Sequence, residues 1–526
     1  MEPVIVVGAG PVGLALALSL ARAEVPVTVL DAGDGRVVER AARTCLLRPE
    51  TAALLPAVPG SRWRGWHTRR RRQLLDHIDL KHETAPLHVT QHVLEKSLRG
   101  ALAAQDGVRL VTGTRLDGLD QDEEGVTAHT GAGRFRGSHL VGCDGARSTV
   151  RKLVGVRFLG RTAVERHAVA TVRVSLPQPG EALLHRDPDG VPGEVTARPL
   201  PDNKWRLDWL LPPRGELVTP EQLLGRVHDT LCTWRGDGQE APPYELLDTG
   251  VHTCHQRLAR RWRVGRVFLA GDAAHLLGAL GTQAVEEGLR DALNLAWKLA
   301  LARRGGPGAP GTEVLLDSYE AERRTAVARR LRAVDHALPL VRRGGTGVRA
   351  LLPGSGARAG TAMLADGQLG RGPLGAAPGY DRSPLTPPDL TGAVAVGTPP
   401  GGQVEDVPVL SPDHGRGRLR DWLGGAGGDL LAVLVAPGAG VWDSRHWRSA
   451  GLMPSLATAV EQLPLHARLL VAEDYPGAPP HTLLVVRPDG HLVAAVPGTR
   501  TDQLLACAEA LAGTAAADRE QDGFRA

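Results

Sequence analysis

The sequence predicts an α/β fold: a doubly wound, Rossmann-like sheet, interrupted by a mostly antiparallel sheet domain and followed by a smaller α/β domain. Three observations predict it. The chain opens on a β–α–β pattern, with an apolar strand at 4–7, a helical pattern at 13–22 and a second apolar strand at 27–30, which is how parallel strands joined through a helix read. From about residue 168 alternating strands take over, separated by turns rich in Pro and Gly, the texture of an antiparallel sheet. At 267–270 an apolar strand returns, followed by long helical patterns at 285–302 and 314–338.

In chain order, 98–104 reads as the end of a helix, and strand patterns follow at 108–112, 126–129 and 139–142, the last closed by an acidic turn. Strands at 168–174 and 205–211 belong to the middle sheet, and the Gly- and Pro-rich stretch 344–402 reads as a linker with short ordered pieces. Strands at 430–435, 467–471 and 483–486 build the last domain. The division is therefore 1–167 for the first part of the nucleotide-binding domain, 168–262 for the middle sheet, 263–343 for the return, 344–402 for the linker and 403–526 for the C-terminal domain.

Composition narrows the function classes. A hydrophobic fraction of 42% over 526 residues supports several packed cores. The net charge of +4 is small for this length, and the one dense basic run, Arg69 to Arg72, has no interleaved aromatics and reads as a solvated loop. A nucleic-acid partner is not expected. Five widely spaced cysteines without a C-x-x-C pair fit neither a disulfide framework nor a zinc site, and suit a reducing cytoplasm. His185, His252 and His255 make no ligand spacing with nearby acids or cysteines, so no metal is expected. The apolar start at 4–20 lacks a basic flank and carries three patterned glycines, unlike a signal peptide. No other stretch approaches the ~20 apolar residues of a membrane span.

The sharpest motif is Gly8-Ala9-Gly10-Pro11-Val12-Gly13, between the first strand and the first helix. Gly8 allows the tight turn, Gly10 lets a pyrophosphate approach the backbone, and Gly13 lets the helix pack on the sheet. The helix that follows Pro11 and Val12 turns its free N–H groups and positive dipole end to the phosphates. Asp31, at the end of the second strand, is placed to accept from ribose hydroxyls. This constellation binds a dinucleotide but does not separate FAD from NAD.

Two further segments do: Cys143-Asp144-Gly145-Ala146-Arg147-Ser148, and the strand that runs through Val267 to Gly271-Asp272-Ala273-Ala274-His275. With these the chain resembles the class A flavoprotein monooxygenases of the para-hydroxybenzoate hydroxylase type, and within them the aromatic polyketide hydroxylases along most of its length. The resemblance implies FAD as cofactor and NADPH or NADH as reductant. It implies that Asp272 binds the FAD ribitol, that Asp144 and Arg147 belong to a dual FAD and NAD(P)H motif, and that Arg43 and Gln91 contact the flavin. It implies a thioredoxin-like C-terminal domain, recognisable at Arg487-Pro488-Asp489-Gly490, which without C-x-x-C has no redox exchange.

The departures are also informative. Similar enzymes carry Pro-Pro, Gly-Gly-Gln-Gly and an Asn after the Gly-Asp motif, where oxygen reacts. Here Gly278 and Ala279 replace the prolines, Gly281-Thr282-Gln283-Ala284 replaces the turn, and Glu286 replaces the Asn. The backbone of Gly281, Ala284, Val285 and Glu286 is still expected to present a helix N-terminus to the flavin. An ionised Glu286 would disfavour an anionic reduced flavin, a protonated one could donate as Asn does, and a solvent-facing one would only favour the first helical turn. Gly278, Ala279 and Glu286 are the flavin-facing candidates, and no protein nucleophile is found. His275 reads as orienting backbone near the cofactor rather than as a base.

Trp205 and Trp209 share one face of a middle-domain strand and either line an aromatic pocket or pack a core. Arg198 and Arg206 are candidates to hold a phenolate or carboxylate. The expected function is a soluble, cytoplasmic, monomeric or homodimeric monooxygenase that oxidises a polycyclic aromatic polyketide with oxygen, through a flavin hydroperoxide. Two alternatives stay open: an atypical oxidation (Baeyer–Villiger insertion, ring cleavage or oxidative rearrangement), or a flavin-binding cyclase that does not activate oxygen.

Overall fold

The computed structural model describes residues 2–514, apart from 213–217, 236–238, 307, 343–354, 388–389, 391, 412–414, 425–428 and 440–450. Its first layer is a six-stranded sheet in the order Arg263–Val264, Val267–Leu269, His139–Gly142, Val4–Val7, Val27–Leu30, Val108–Val111. All neighbours are parallel except the short hairpin at the Arg263 edge. The strands Val4–Val7 and Val27–Leu30 are buried at every position, as strands covered on both faces by helices must be. The helices Pro11–Arg22 and Ala284–Gly305 pack on it, and Leu14, Leu16, Leu18 and Leu20 meet Leu289, Leu295 and Leu299 in one continuous core.

The second layer is an eight-stranded sheet in the order His275–Leu276, Glu245–Ala259, Phe158–Arg173, Lys204–Leu211, Glu194–Pro199, Glu181–Arg186, Gly65–Arg70, Gln73–Asp79. It is antiparallel apart from the pairing of Glu181–Arg186 with Gly65–Arg70. Its composition differs from the expected division at two points. The strand Phe158–Arg173 runs unbroken through the 167/168 boundary, and the hairpin 65–79, counted with the nucleotide-binding segment, supplies the last two strands. The reason is that this hairpin finds an open edge in sequence-distant Glu181–Arg186, a non-local pairing that strand patterns do not reveal.

The stretch 344–402 is also more than a linker. Helix Ser355–Leu369 packs with Thr325–Arg342, and its Leu364, Ala365 and Leu369 share a core with Trp66, Ala279 and Leu280. The C-terminal domain is a six-stranded mixed sheet in the order Gly415–Arg418, Pro408–Ser411, Ala467–Ala472, Leu430–Val435, Thr482–Val486, Leu492–Pro497, with helices Met453–Glu461 and Thr501–Ala512. Among the described residues no helix is long and apolar enough to cross a membrane.

Candidate active site

The glycines of the first turn fall into two kinds. Gly8 has φ +106°, and a side chain there would meet the Cys143 carbonyl oxygen at 2.5 Å. At Gly13 an added methyl would stand 2.0 Å from the Gly8 oxygen. Gly10 is different: nothing lies within 4 Å of where its Cβ would be. Two glycines thus close the turn and the middle one opens onto free space, at the N-cap of a helix with no side-chain cap. Orphan N–H groups at such an end attract an anion. Asp31 accepts from Ala9 N–H at 3.0 Å and Gly33 N–H at 3.1 Å, so its carboxylate braces this loop. Arg99, on the helix Gln91–Ala103, donates to the Ala9 carbonyl at 3.4 Å and brings a cation beside the same opening.

The other motif residues converge from three sides. Gly271 has φ +60°, and a side chain there would meet Val12 at 3.0 Å. Gly288, on the long helix, is pressed against Val12 and Gly271 in the same way. Asp272 is exposed and accepts no hydrogen bond among the described residues. The protein around it desolvates its carboxyl and raises its pKa, against a small pull from His275. Asp144 caps the short helix Thr149–Leu153 through the N–H groups of Thr149 and Val150, while its other oxygen is buried without a partner. Arg147 is exposed at the same turn. Arg43 is exposed too, and its carbonyl accepts the Gln91 N–H at 2.8 Å, which brings this pair together. The Gln91 amide donates to Glu95 at 2.9 Å.

His275 is buried and donates through Nε2 to Asp291 at 2.8 Å, with its ring stacked on Trp262. Asp291 also accepts the Gly271 N–H at 2.9 Å and Arg323 at 2.8 Å. The triad holds the backbone of the Gly-Asp turn; His275 is not exposed to act as a base.

The segment 278–286 holds the flavin-facing candidates. Gly278 stands against Cys254, where a side chain would meet Sγ at 3.3 Å. Leu280 adopts φ +54°, a left-handed conformation costly for a residue with a Cβ. It is held there because its N–H donates to buried Glu165 at 3.0 Å. Burial alone would raise the Glu165 carboxyl, but the His167 hydrogen bond and the Arg342 charge outweigh it and pull it down to about 2. Helix Ser355–Leu369 closes the turn from outside, with Gln368 pressed on Gly281 and Gly367 on the Leu280 carbonyl. The helix Ala284–Gly305 begins without a side-chain cap, so the first-turn N–H groups of Ala284 and Val285 remain open.

Glu286 does not face solvent. It accepts from Thr51 Oγ1 at 2.6 Å, Arg290 at 3.0 Å and the Arg48 N–H at 3.3 Å, and burial raises its pKa while Arg290 lowers it. It opens a buried charge network along the same helix. Glu287 meets Arg323 and Arg330, and Arg290 also reaches Glu50. Further on, Glu322 accepts from Lys298, Asn294 and Arg487, and Arg487 pairs with Asp489 in the C-terminal domain. A π-helical step over Glu320–Arg324 is what turns Glu322 and Arg323 together into the interior.

The middle-sheet candidates divide by face. Trp205 and Trp209 are in a core beneath the helix Pro220–Arg235, with Trp209 Nε1 donating to Thr230 at 3.0 Å. That corrects their candidacy as substrate contacts: the covering helix needs an apolar floor and these rings provide it. The opposite face carries Arg198 and Arg206, both paired with Asp208, and Arg206 donates to the Ala42 carbonyl at 2.6 Å. Next to them His252 is pushed down to about 4 by burial and by Arg206, and Cys254 up to about 12 by burial. This polar face runs from the Arg43 loop to the Gly278 turn. Arg151 donates through its guanidinium to the Ala273 and Ala146 carbonyls, and Arg99 and Glu165 carry no motif that would mark them in the sequence.

Residues 1–334 match the family model described as an FAD binding domain. The chain belongs to this family, that of the class A FAD-dependent aromatic monooxygenases, and is an enzyme of that type. A rifampicin monooxygenase of Streptomyces venezuelae is 34% identical over 344 residues, covering 61% of this chain and 68% of that one. A 3-(3-hydroxy-phenyl)propionate/3-hydroxycinnamic acid hydroxylase of Paraburkholderia xenovorans is 33% identical over 242 residues, but the match spans only 44% of this chain and 37% of that enzyme. Among solved structures, the flavin-dependent monooxygenase PieE, in complex with FAD and substrate, superposes with a TM-score of 0.72 at 21% identity over 98% of this chain and 99% of that one. OxyS, the anhydrotetracycline hydroxylase of Streptomyces rimosus, gives 0.66 at 25% over 97% and 99%. The Diels-Alderase PyrE3 gives 0.60 at 24% over 97% and 99%, a likeness of fold.

Proposed function

We propose that the enzyme uses FAD and NAD(P)H to insert oxygen into a polycyclic aromatic polyketide. The observation that carries this is the open seat at Gly10, beside an uncapped helix end, together with Asp272, whose exposed carboxylate accepts no hydrogen bond among the described residues. These residues fit FAD: a pyrophosphate at Gly10 and Arg99, ribose near Asp31, ribitol hydroxyls on Asp272, and the flavin ring between Arg43, Gln91 and the 278–286 turn. Arg147 and Asp144 are the candidates to meet the nicotinamide nucleotide. Bound FAD supplies the redox chemistry, taking up reducing equivalents and activating oxygen. The protein's part is placement. The open N–H groups of Ala284 and Val285 favour negative charge at the near end of the flavin, and Glu165 and helix Ser355–Leu369 hold the Gly278–Gly281 turn against it and keep water out.

On the opposite wall Arg198 and Arg206, held by Asp208, offer donors to a phenolate or quinone oxygen. The relatives' own substrates, rifampicin and anhydrotetracycline, support a polycyclic one here. A second reading, an atypical oxidation or an oxygen-independent cyclisation, is favoured by the left-handed Leu280 and by the helix Ser355–Leu369 packed on the Leu280–Gly281 turn. The test is NADPH consumption and product mass, with and without oxygen, on the FAD-loaded enzyme with an anthracycline- or tetracycline-type aglycone. NADPH-dependent gain of one oxygen atom supports the monooxygenase. A changed substrate of unchanged mass, formed without oxygen, supports the cyclase and overturns it.

A further inference from the structure

The outer edge of the eight-stranded sheet carries a cluster that the flavin chemistry does not use. Strand Gly65–Arg70 lies between Glu181–Arg186 and Gln73–Asp79. Its register puts Glu181 beside Gly65 on one side, Asp79 beside Gly65 on the other, and His77 opposite His67. Side chains paired in this way share a face, as do residues i and i+2 of one strand. Four potential ligands, His67, His77, Glu181 and Asp79, therefore surround a position that has no side chain. A Cβ at Gly65 would stand 3.3 Å from both Glu181 Oε2 and His77 Nε2, so the glycine leaves the centre of the ring open.

We propose that His67, His77 and Glu181 form a site for a divalent ion of the zinc class, which clamps the edge hairpin to the sheet. One donor atom of each lies within 4.8 Å of the others. His67 Nε2 contacts Glu181 Oε2, and His77 Nε2 lies 3.6 Å from the same oxygen and 3.5 Å from Asp79 Oδ1. A tetrahedral zinc with bonds of about 2.1 Å spaces its ligands by about 3.4 Å. The cluster reaches this when a metal parts His67 from Glu181, while His77 already stands at that spacing from Glu181. Two imidazoles and a carboxylate are a borderline donor set that suits zinc, nickel or copper over calcium or magnesium. His67 is buried with its other nitrogen unpartnered, whereas His77 is half-exposed and opens the site to solvent and a water ligand. The strand Gln73–Asp79 is exposed along most of its length, and an unsecured edge of this kind is what a metal clamp would protect.

The test uses the FAD-loaded, untagged enzyme, stripped with a chelator and titrated with zinc sulfate by calorimetry. One ion per chain is expected to bind at micromolar concentration or below, with slower amide hydrogen exchange over 73–79. His77→Ala and Glu181→Gln, both at solvent-accessible positions, should weaken binding at least tenfold, and Gly65→Val should abolish it by filling the centre. FAD content is expected to stay at the wild-type level in all three, which separates loss of the ion from loss of the fold. Failure of the wild type to bind zinc in stoichiometric amount, or wild-type affinity in His77→Ala, overturns the proposal.

Discussion

Replacing Gly13 and Gly10 separately by alanine distinguishes packing from ligand binding within one loop. At Gly13 the new methyl would stand 2.0 Å from the Gly8 oxygen, more than 1 Å inside normal contact of about 3.2 Å. The first helix must withdraw by roughly that amount from a strand buried at every position, and overpacking of this kind costs about 1–3 kcal/mol or more. At Gly10 the methyl meets nothing within 4 Å, and φ −78° with ψ −179° is ordinary extended backbone. The apoprotein therefore changes by less than about 1 kcal/mol, the N-cap preference alone. With FAD the order inverts. The Gly10 methyl occupies the seat of the pyrophosphate, and a cost of about 3 kcal/mol is a loss of about a hundredfold in affinity. The assays are thermal unfolding of the apoproteins and flavin-fluorescence titration. Gly10→Ala with wild-type FAD affinity refutes the assignment of the open space to the cofactor; Gly13→Ala with wild-type apoprotein stability refutes the packing argument.

Other expectations rest on single contacts. Asp272→Asn should lower FAD affinity about tenfold in the same titration and leave apoprotein stability unchanged, because the carboxylate has no hydrogen bond to lose among the described residues. Glu322→Gln strands Lys298 and Arg487, both buried, and should cost about 3–5 kcal/mol in denaturant unfolding. The depressed Glu165 carboxyl contributes stability that is complete above its ordinary 4.5 and is lost as pH falls toward about 2; Glu165→Gln should flatten the acid limb of a stability-versus-pH curve over that window. Trp209→Phe removes the bond to Thr230 and should cost about 1 kcal/mol with KM unchanged in steady-state turnover.

The first turn was legible because its glycines sit together in one short motif: Gly13 answers the Gly8 carbonyl five residues before it, and Gly8 takes a positive φ, even though the strand end at Cys143 also presses on Gly8. Asp272 was singled out through resemblance, and its placement at the end of the strand Val267–Leu269 gives that resemblance a physical sense. Trp205 and Trp209 show the limit of face arguments. Alternation correctly put both rings on one face, but which face is covered depends on the helix Pro220–Arg235, which crosses it from elsewhere. Glu286 could be read three ways from sequence because its partners Thr51 and Arg48 lie more than 230 residues away. Non-local pairing likewise left the hairpin 65–79 counted with the nucleotide-binding segment and hid helix Ser355–Leu369 in a stretch whose Gly and Pro content suggested a linker. Composition reports local stiffness, and these elements are fixed by non-local contacts.

The charge network that crosses from Glu322 to Arg487 has a consequence for how the polypeptide matures on the ribosome. Arg487 is synthesised about 165 residues after Glu322, a lag of about 10–30 s at about 5–20 residues per second. During that interval Lys298 and Glu322 hold each other without the guanidinium that completes them, and Asn294 lacks Asp489. The nucleotide-binding half therefore waits in an unfinished state until the last domain emerges. A nascent chain stalled before Arg487 should hold flavin loosely and be open to proteases along the Ala284–Gly305 helix, however complete its own motifs are.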